Sequence, residues 1–463
     1  MPLIAWAAIV LIPHPAGISH NGWGYLGLFA GVIVALVLEP LPPAAVGLIG
    51  VTAATMLGYV APKPADAIKW GLSGFSDGTV WLIFGALTLS TGYEKTGLGR
   101  RIALSLVRRM GRSTLGLGYA VMLADLAIAP FTPSNTGRSA GVIFPIVRSI
   151  PALYGSAPGP TARRIGAYLM WTAFATTSVT SSMFLTALAP NLLALGLVRH
   201  ETAIDITWSR WMLGFLPVGA PLLATLPLLV YFIYPPEIRS SPDVTAWAEA
   251  ELVRMGKLSA REWVLGLLIL LAFFLWVFGT ERIHATTAIL AIVSLMVLLR
   301  VLDWDDVVGN RAAWDTVIYF ATLLTLADGL DRVGVVTWAA QGVSRQLIGV
   351  SPLTALVVLV SFFFAVHYCF ASLTAHTVVV FPALLAAGAS FPGMPVRVFA
   401  LVLAYSIGLM GVLTPYATGP APVYFGSGFI PRKDFWILGF VFGLIFLAVL
   451  MGVGLPSLLR FSP

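Results

Sequence analysis

Apolar residues run along this chain in long unbroken blocks: Trp23 to Leu38, Ala44 to Val60, Val80 to Leu89, Ser209 to Tyr234, Trp263 to Phe278 and Phe435 to Leu455. Several approach the roughly 20 residues that a helix needs to cross hydrocarbon. None alternates with a period of two, as barrel strands would. The pattern predicts an all-α polytopic membrane protein. Glu39-Pro40-Leu41-Pro42-Pro43 separates the first two blocks as a turn, because proline cannot continue a helix. Met1 to Ile12 is apolar, carries no Lys or Arg, and is followed by Pro13-His14-Pro15 in place of a small-residue cleavage site. It is expected to be a first membrane helix and not a removable signal.

Two apolar stretches are interrupted. Tyr119 to Ile150 is broken by Pro130, Pro133 and Gly137, and both of its ends adjoin basic residues, which predicts a re-entrant hairpin. Ile165 to Arg199 is interrupted at Thr176 to Ser182 and at Pro190-Asn191, which predicts a discontinuous helix lining a cavity or buried in protein. The polar segment within Pro235 to Glu262 divides the chain. On this reading residues 1–235 form a first membrane repeat, 236–262 a cytoplasmic linker, and 263–463 a second repeat.

The repeat is visible as matched pairs at an offset of 237: Thr79-Val80 with Thr316-Val317, Glu94 to Gly97 with Asp331 to Gly334, Phe144-Pro145 with Phe381-Pro382, and Thr177 with Thr414. Charge then orients the copies. Lys95, Arg100, Arg101, Arg108, Arg109 and Arg112 follow the third span, whereas the equivalent segment of the second copy holds Arg332 and Arg345. Basic loops stay on the cytoplasmic side, so the copies are expected to be inverted, with two re-entrant hairpins and two discontinuous helices. The N-terminus is expected on the cytoplasmic side of a bacterial-type inner membrane.

Composition agrees: 58% of the 463 residues are hydrophobic and 10% charged, against roughly 25% charged in soluble domains. The net charge of +7 is spread over loops and reports orientation, not nucleic-acid binding. One cysteine excludes an intramolecular disulfide framework. No nucleotide motif, metal set or cofactor motif is apparent, and the chain reads as a non-enzyme.

Chemistry concentrates in two small polar clusters, Ser134-Asn135-Thr136-Gly137-Arg138 and Ser372-Leu373-Thr374-Ala375-His376-Thr377. Each precedes an apolar run and reads as a helix start, Ser134 or Asn135 in one and Ser372, Thr374 and Thr377 in the other. A helix start presents unpaired N–H groups and partial positive charge, so a buried one is a prepared anion site. Two opposed tips suit a dicarboxylate. Ser, Thr and Asn also join membrane helices without binding anything. Two clusters in related positions of a repeat, beside broken helices near Thr177 and Thr414, favour the binding site.

Ser-Asn-Thr at 134–136, the run at 372–377, and TPYATGPAPVYFGSG at 414–428 together resemble the divalent anion:sodium symporter (DASS) family. The likeness is closest to its exchanger branch of 2-oxoglutarate/malate, tartrate/succinate and citrate/succinate antiporters. It implies a homodimer of about eleven membrane helices and two re-entrant hairpins per subunit, working by an elevator motion. It also implies that Ser134, Asn135, Thr136, Ser372, Thr374 and the broken-helix residues Thr177, Thr414, Pro415 and Thr418 contact substrate carboxylates. The function expected is exchange of C4-dicarboxylates or 2-oxoglutarate, with sodium-coupled uptake of di- or tricarboxylates as the alternative.

The departures matter. Leu373 stands where sodium-coupled members have Asn. Arg138 and His376 occupy the same fifth place counted from each Ser, which suggests fixed cations taking over the role of bound sodium and hence obligatory exchange. That pairing needs a one-residue shift against the Phe-Pro pairs. His367, nine residues before His376, gives little support for a metal site. Ser372 with His376 lacks an orienting acid for hydrolysis. A channel fits two closed anion sites less well than a carrier does.

Overall fold

The computed structural model describes residues 1–38, 40–279, 282–338 and 349–461. Glu39, in the predicted turn, and Arg345, in the charge comparison, lie outside the described residues. Among the described residues the chain is helical, with no strand and one isolated bridge between Ser113 and Ser240. Among the described residues, five helical stretches are long and apolar enough to cross a membrane: Thr114–Phe131, Trp208–Ile233, Ala260–Phe278, Pro352–Cys369 and Arg432–Arg460. Helices also cover the other predicted spans, at His20–Leu38, Pro43–Leu57 and Gly78–Thr96.

The N-terminal segment differs from expectation. Its helix is Pro2–Val10, nine residues, about 14 Å at 1.5 Å per residue and too short to cross hydrocarbon. It packs on His20–Leu38, where the Trp23 Nε1–H donates to the carbonyls of Ile9 and Ile12 at 2.8 and 2.9 Å.

The polar segment after Tyr234 contains a helix, Pro242–Met255, docked on the basic helix Leu98–Met110. Arg100 pairs with Glu251 at 2.9 Å, Arg108 with Glu249 at 2.8 Å and Arg101 with Glu262 at 2.6 Å. The basic segment and the polar segment therefore share one side of the molecule. Lys95 adds the short helix Trp304–Val308 and its cap Asp303 to that side, through Asp303 and Asp306.

At the centre lies Gly166–Met183, every residue of which is buried. Its small Ser and Thr side chains let the neighbouring helix Val396–Leu409 approach closely. An ideal Cβ on Gly408 would fall 2.7 Å from the backbone nitrogen of Ser182, so only glycine fits there.

Two helix-break-helix units flank this core, and they share one plan. In the first, the 15-residue helix Thr114–Ile128 leads to a 3-10 turn, Ala129–Phe131, and an extended Thr132 before helix resumes after Ser134. In the second, the 15-residue helix Pro352–Val366 leads to a turn at His367–Cys369 and an extended Phe370 before Leu373–Ala389 begins. Helix starts, turns and capping serines all correspond at an offset of 238 (114 to 352, 129 to 367, 134 to 372). The Phe-Pro pairs correspond at 237 (144 to 381). The extra residue of the first copy falls within Thr136–Ile143, which is a π-helix. A π-bulge is how a helix absorbs one inserted residue. The one-residue shift noted in the sequence thus falls within this π-segment, and counted from each capping serine Arg138 and His376 take the same place.

Candidate anion site between two helix tips

Each tip is capped as the sequence suggests. Ser134 Oγ accepts from the Gly137 N–H at 3.0 Å, and Ser372 Oγ accepts from the Ala375 N–H at 3.4 Å. The tips are tied to adjacent residues of one segment, the non-helical stretch between Val412 and Ala421. Asn135 Nδ2 donates to Thr418 Oγ1 at 2.7 Å. His367, in the turn before the second tip, reaches the Ala417 carbonyl through Nε2 at 2.9 Å and His376 through Nδ1 at 3.0 Å. Thr136 is exposed beside Gly419, where an added Cβ would lie 3.2 Å from the Thr136 Cβ. Glycine at 419 is what lets the first tip and this segment meet.

Of the expected residues, Asn135 on the first tip is bonded directly to Thr418, and His376 on the second is linked through His367 to Ala417; Ser134 and Thr136 share the first tip, and Ser372 and Thr374 the second. Ser372 and Thr374 are half-buried, and His376 is fully buried. Thr414 and Pro415 are buried at the start of the same segment, where Thr414 Oγ1 accepts from the Tyr416 N–H at 3.4 Å. The Thr377 hydroxyl is spent within its own helix, donating to the Leu373 carbonyl at 2.8 Å.

Arg138 and Thr177 are placed differently. Arg138 is fully buried and its guanidinium has no open donor. Nε meets Asp125 Oδ1 at 3.1 Å, Nη1 donates to the carbonyls of Thr132 and Ala187 at 3.1 and 2.9 Å, and Nη2 donates to Thr180 and Ser181 at 3.3 and 3.1 Å. Asp125 also accepts from Thr177 Oγ1 at 3.1 Å and closely from Thr180. The uncompensated cation expected at position 138 is therefore absent. Its charge is balanced by Asp125, and its donors satisfy the carbonyls of the hairpin break and of the helix break opposite. Thr177 serves this network.

The first broken helix is broken between the two expected places, after Thr176–Ser182 and before Pro190-Asn191, which lie in the first turn of the helix that follows. It continues through Thr176–Ser182 to Met183, and the interruption is Phe184–Leu188, with helix resuming at Ala189. Asn191 Nδ2 donates to the freed carbonyls of Ser181 and Phe184 at 2.7 and 3.2 Å, and Ala189 N–H donates to the Pro133 carbonyl at 2.9 Å. The consecutive Thr and Ser residues pack a helix interface and do not break it.

Three residues of this arrangement escaped the sequence reading. Asp125 is the lone acid in the apolar run that holds Arg138, and that pairing was the available signal. His367, nine residues from His376, shares no helical face with it, but a turn and not a helix joins the two and lets their rings meet. Tyr424 meets the Ser139 hydroxyl at 3.0 Å, anchoring the π-segment, and nothing in the sequence pointed to it.

A sequence profile of the sodium:sulfate symporter transmembrane region matches residues 1–458. The chain belongs to this family. The citrate/succinate antiporter of Escherichia coli K12 is 47% identical over 470 residues, covering 99% of this chain and 96% of that protein. The L-tartrate/succinate antiporter of Shigella flexneri is 45% identical over 468 residues, covering 98% and 96%. This is the DASS resemblance drawn from the motifs, and it makes the chain a multi-pass membrane transporter and not an enzyme. Among solved structures, the Alcanivorax borkumensis YdaH transporter aligns with a TM-score of 0.59 at 16% identity, covering 86% of this chain and 90% of that one. Neisseria gonorrhoeae MtrF aligns at 0.55 and 15%, covering 91% and 96%. Those two share the fold alone.

Proposed function

We propose that this family member exchanges dicarboxylates of the C4 or 2-oxoglutarate class across the inner membrane, binding them between the tips at Ser134 and Ser372. One observation carries the reading: two capped helix starts, in equivalent positions of a repeated unit, are tied to the neighbouring residues Ala417 and Thr418. Two such tips offer two sets of free N–H groups and two partial positive charges, matched to a ligand with two carboxylates. The full-length similarity to citrate/succinate and tartrate/succinate antiporters supports both the ligand class and exchange.

Positive character at this site comes from the tips, because Asp125 cancels Arg138. Ser134, Asn135, Thr136, Ser372, Thr374 and Thr418 hold the carboxylates, and Arg138 fixes the shape of the first tip. An empty site leaves the tip N–H groups without an anion at membrane depth, where unpaired polar groups cost several kcal/mol each. Return of the empty carrier is then slow, and countertransport is the fast route. Residues 1–235 and 263–463 act as the two inverted repeats of a homodimer subunit that moves as an elevator, with the N-terminus and segment 236–262 cytoplasmic. The shared side of the basic and polar segments is in keeping with that topology.

The two-tip reading is tested by competition in reconstituted vesicles exchanging succinate. Unlabelled C4-dicarboxylates are expected to compete, and butyrate, which has one carboxylate, is expected to be at least tenfold weaker. Equal competition by butyrate would leave the second tip without a role.

A further inference from the structure

We propose that a groove walled by the helices Trp208–Ile233, Val396–Leu409 and Leu455–Phe461 binds one anionic diacyl phospholipid. This site is separate from the two helix tips and does not depend on them.

The groove holds about 350 Å³, within the range of ligand pockets, roughly 300 to 1,000 Å³. Two of its helices present the same order of side chains along it. Arg210 stands in the first turn of Trp208–Ile233, with Leu213 and Pro217 one and two turns further in. Arg397 stands in the first turn of Val396–Leu409, with Leu401 one turn further in. Asp205 adds one carboxylate at the charged end, which keeps a net positive charge. The groove therefore runs from two guanidinium groups to apolar side chains, the order in which a phospholipid carries its phosphate and its acyl chains.

The charged end lies at headgroup level. Beyond the far end of Trp208–Ile233, Tyr234 donates to Asp434 at 2.7 Å and its ring lies 3.8 Å from the Arg163 guanidinium. The Arg163 carbonyl in turn accepts from the Glu237 N–H at 3.0 Å, which places this end at the polar segment. Arg210 and Tyr234 are 24 residues apart (234 − 210), about 36 Å along a helix. That exceeds the ~30 Å of a hydrocarbon core, so Arg210 reaches the opposite membrane surface while Leu213 and Pro217 lie within hydrocarbon. Leu213 is 58% exposed, so an acyl chain enters the groove from the bilayer.

Among the described residues Arg210 enters no ion pair. A guanidinium presents a planar fork of donors that fits two phosphate oxygens. With Arg397 facing the same groove, a headgroup of net negative charge is favoured over a zwitterionic one, whose ammonium cancels its phosphate. Free phosphate would satisfy the arginines and leave the apolar walls bare. A diacyl lipid covers both.

The test titrates purified protein in detergent with phosphatidylglycerol and with phosphatidylcholine of the same acyl chains, and native mass spectrometry reads the bound fraction. The wild type is expected to bind one phosphatidylglycerol about fivefold more tightly than phosphatidylcholine, the size of one arginine at an anionic headgroup. Arg210→Gln should bring the two lipids within about twofold, and Arg210→Lys should keep the preference. Ser457→Trp, at another lining position, should fill the groove and weaken both lipids. Equal affinity for the two lipids in the wild type, an undiminished preference in Arg210→Gln, or undiminished binding in Ser457→Trp would overturn the inference. Displacement of phosphatidylglycerol by millimolar inorganic phosphate or succinate would assign the arginines to a free anion and overturn it as well.

Discussion

Asp125 and Arg138 form the most consequential residue pair in the molecule. A charge at membrane depth costs at least about 2.5 to 3.5 kcal/mol on insertion scales, and a buried ion pair is tolerated when its remaining donors are bonded. Every donor of Arg138 is. Removing one partner leaves the other uncompensated, so Asp125→Asn is expected to destabilise the protein by about 3 to 5 kcal/mol. Asp125→Leu combined with Arg138→Met should cost less than either alone. Thermal unfolding of the purified variants in detergent checks both, and a double variant less stable than the singles would contradict the pairing. Arg138 was legible in the sequence as an out-of-place cation, whereas its compensation was not. Partners thirteen residues apart on either side of a chain reversal share no helical face, so spacing rules are silent about them.

At the scale of elements, the π-segment Thr136–Ile143 explains why two copies of one unit differ in length by one residue. The second copy makes the same connection without the insertion. Deleting Gly141, whose Cβ position is open, should convert the bulge to regular helix, keep Phe144–Ser149 in register and preserve folding. Deleting a residue within Phe144–Ser149 should rotate the downstream chain by about 100° and reduce folded yield sharply. Size-exclusion profiles after membrane extraction separate the outcomes, and equal loss in both would argue against the bulge as the site of insertion. The prolines marked the first helix break, since Pro130 lies in the 3-10 turn and Pro133 just before the first tip, whereas Gly137 lies inside the π-helix and breaks nothing. The same logic misplaced the break of Gly166–Met183. Clustered Ser and Thr near 177 were read as interruptions, but in an all-buried helix their short side chains serve close packing. Likewise an apolar run at Met1 to Ile12 gave a helix without the length to span.

For the whole molecule, apolar runs were enough to reach an all-helical membrane protein, and three motifs were enough to reach its family of transporters. What lay beyond them was convergence: nothing in the order of residues says that Asn135, His367 and His376 gather on Ala417 and Thr418, because that depends on how separate helices pack. The central claim, exchange driven by a site that is stable only when filled, is a property of the complete carrier. Its most direct measurement is uptake of labelled succinate into vesicles either preloaded with unlabelled dicarboxylate or left empty, each with and without an inward sodium gradient. Uptake is predicted to require internal dicarboxylate and to ignore sodium. Sodium-driven accumulation in empty vesicles would contradict the account.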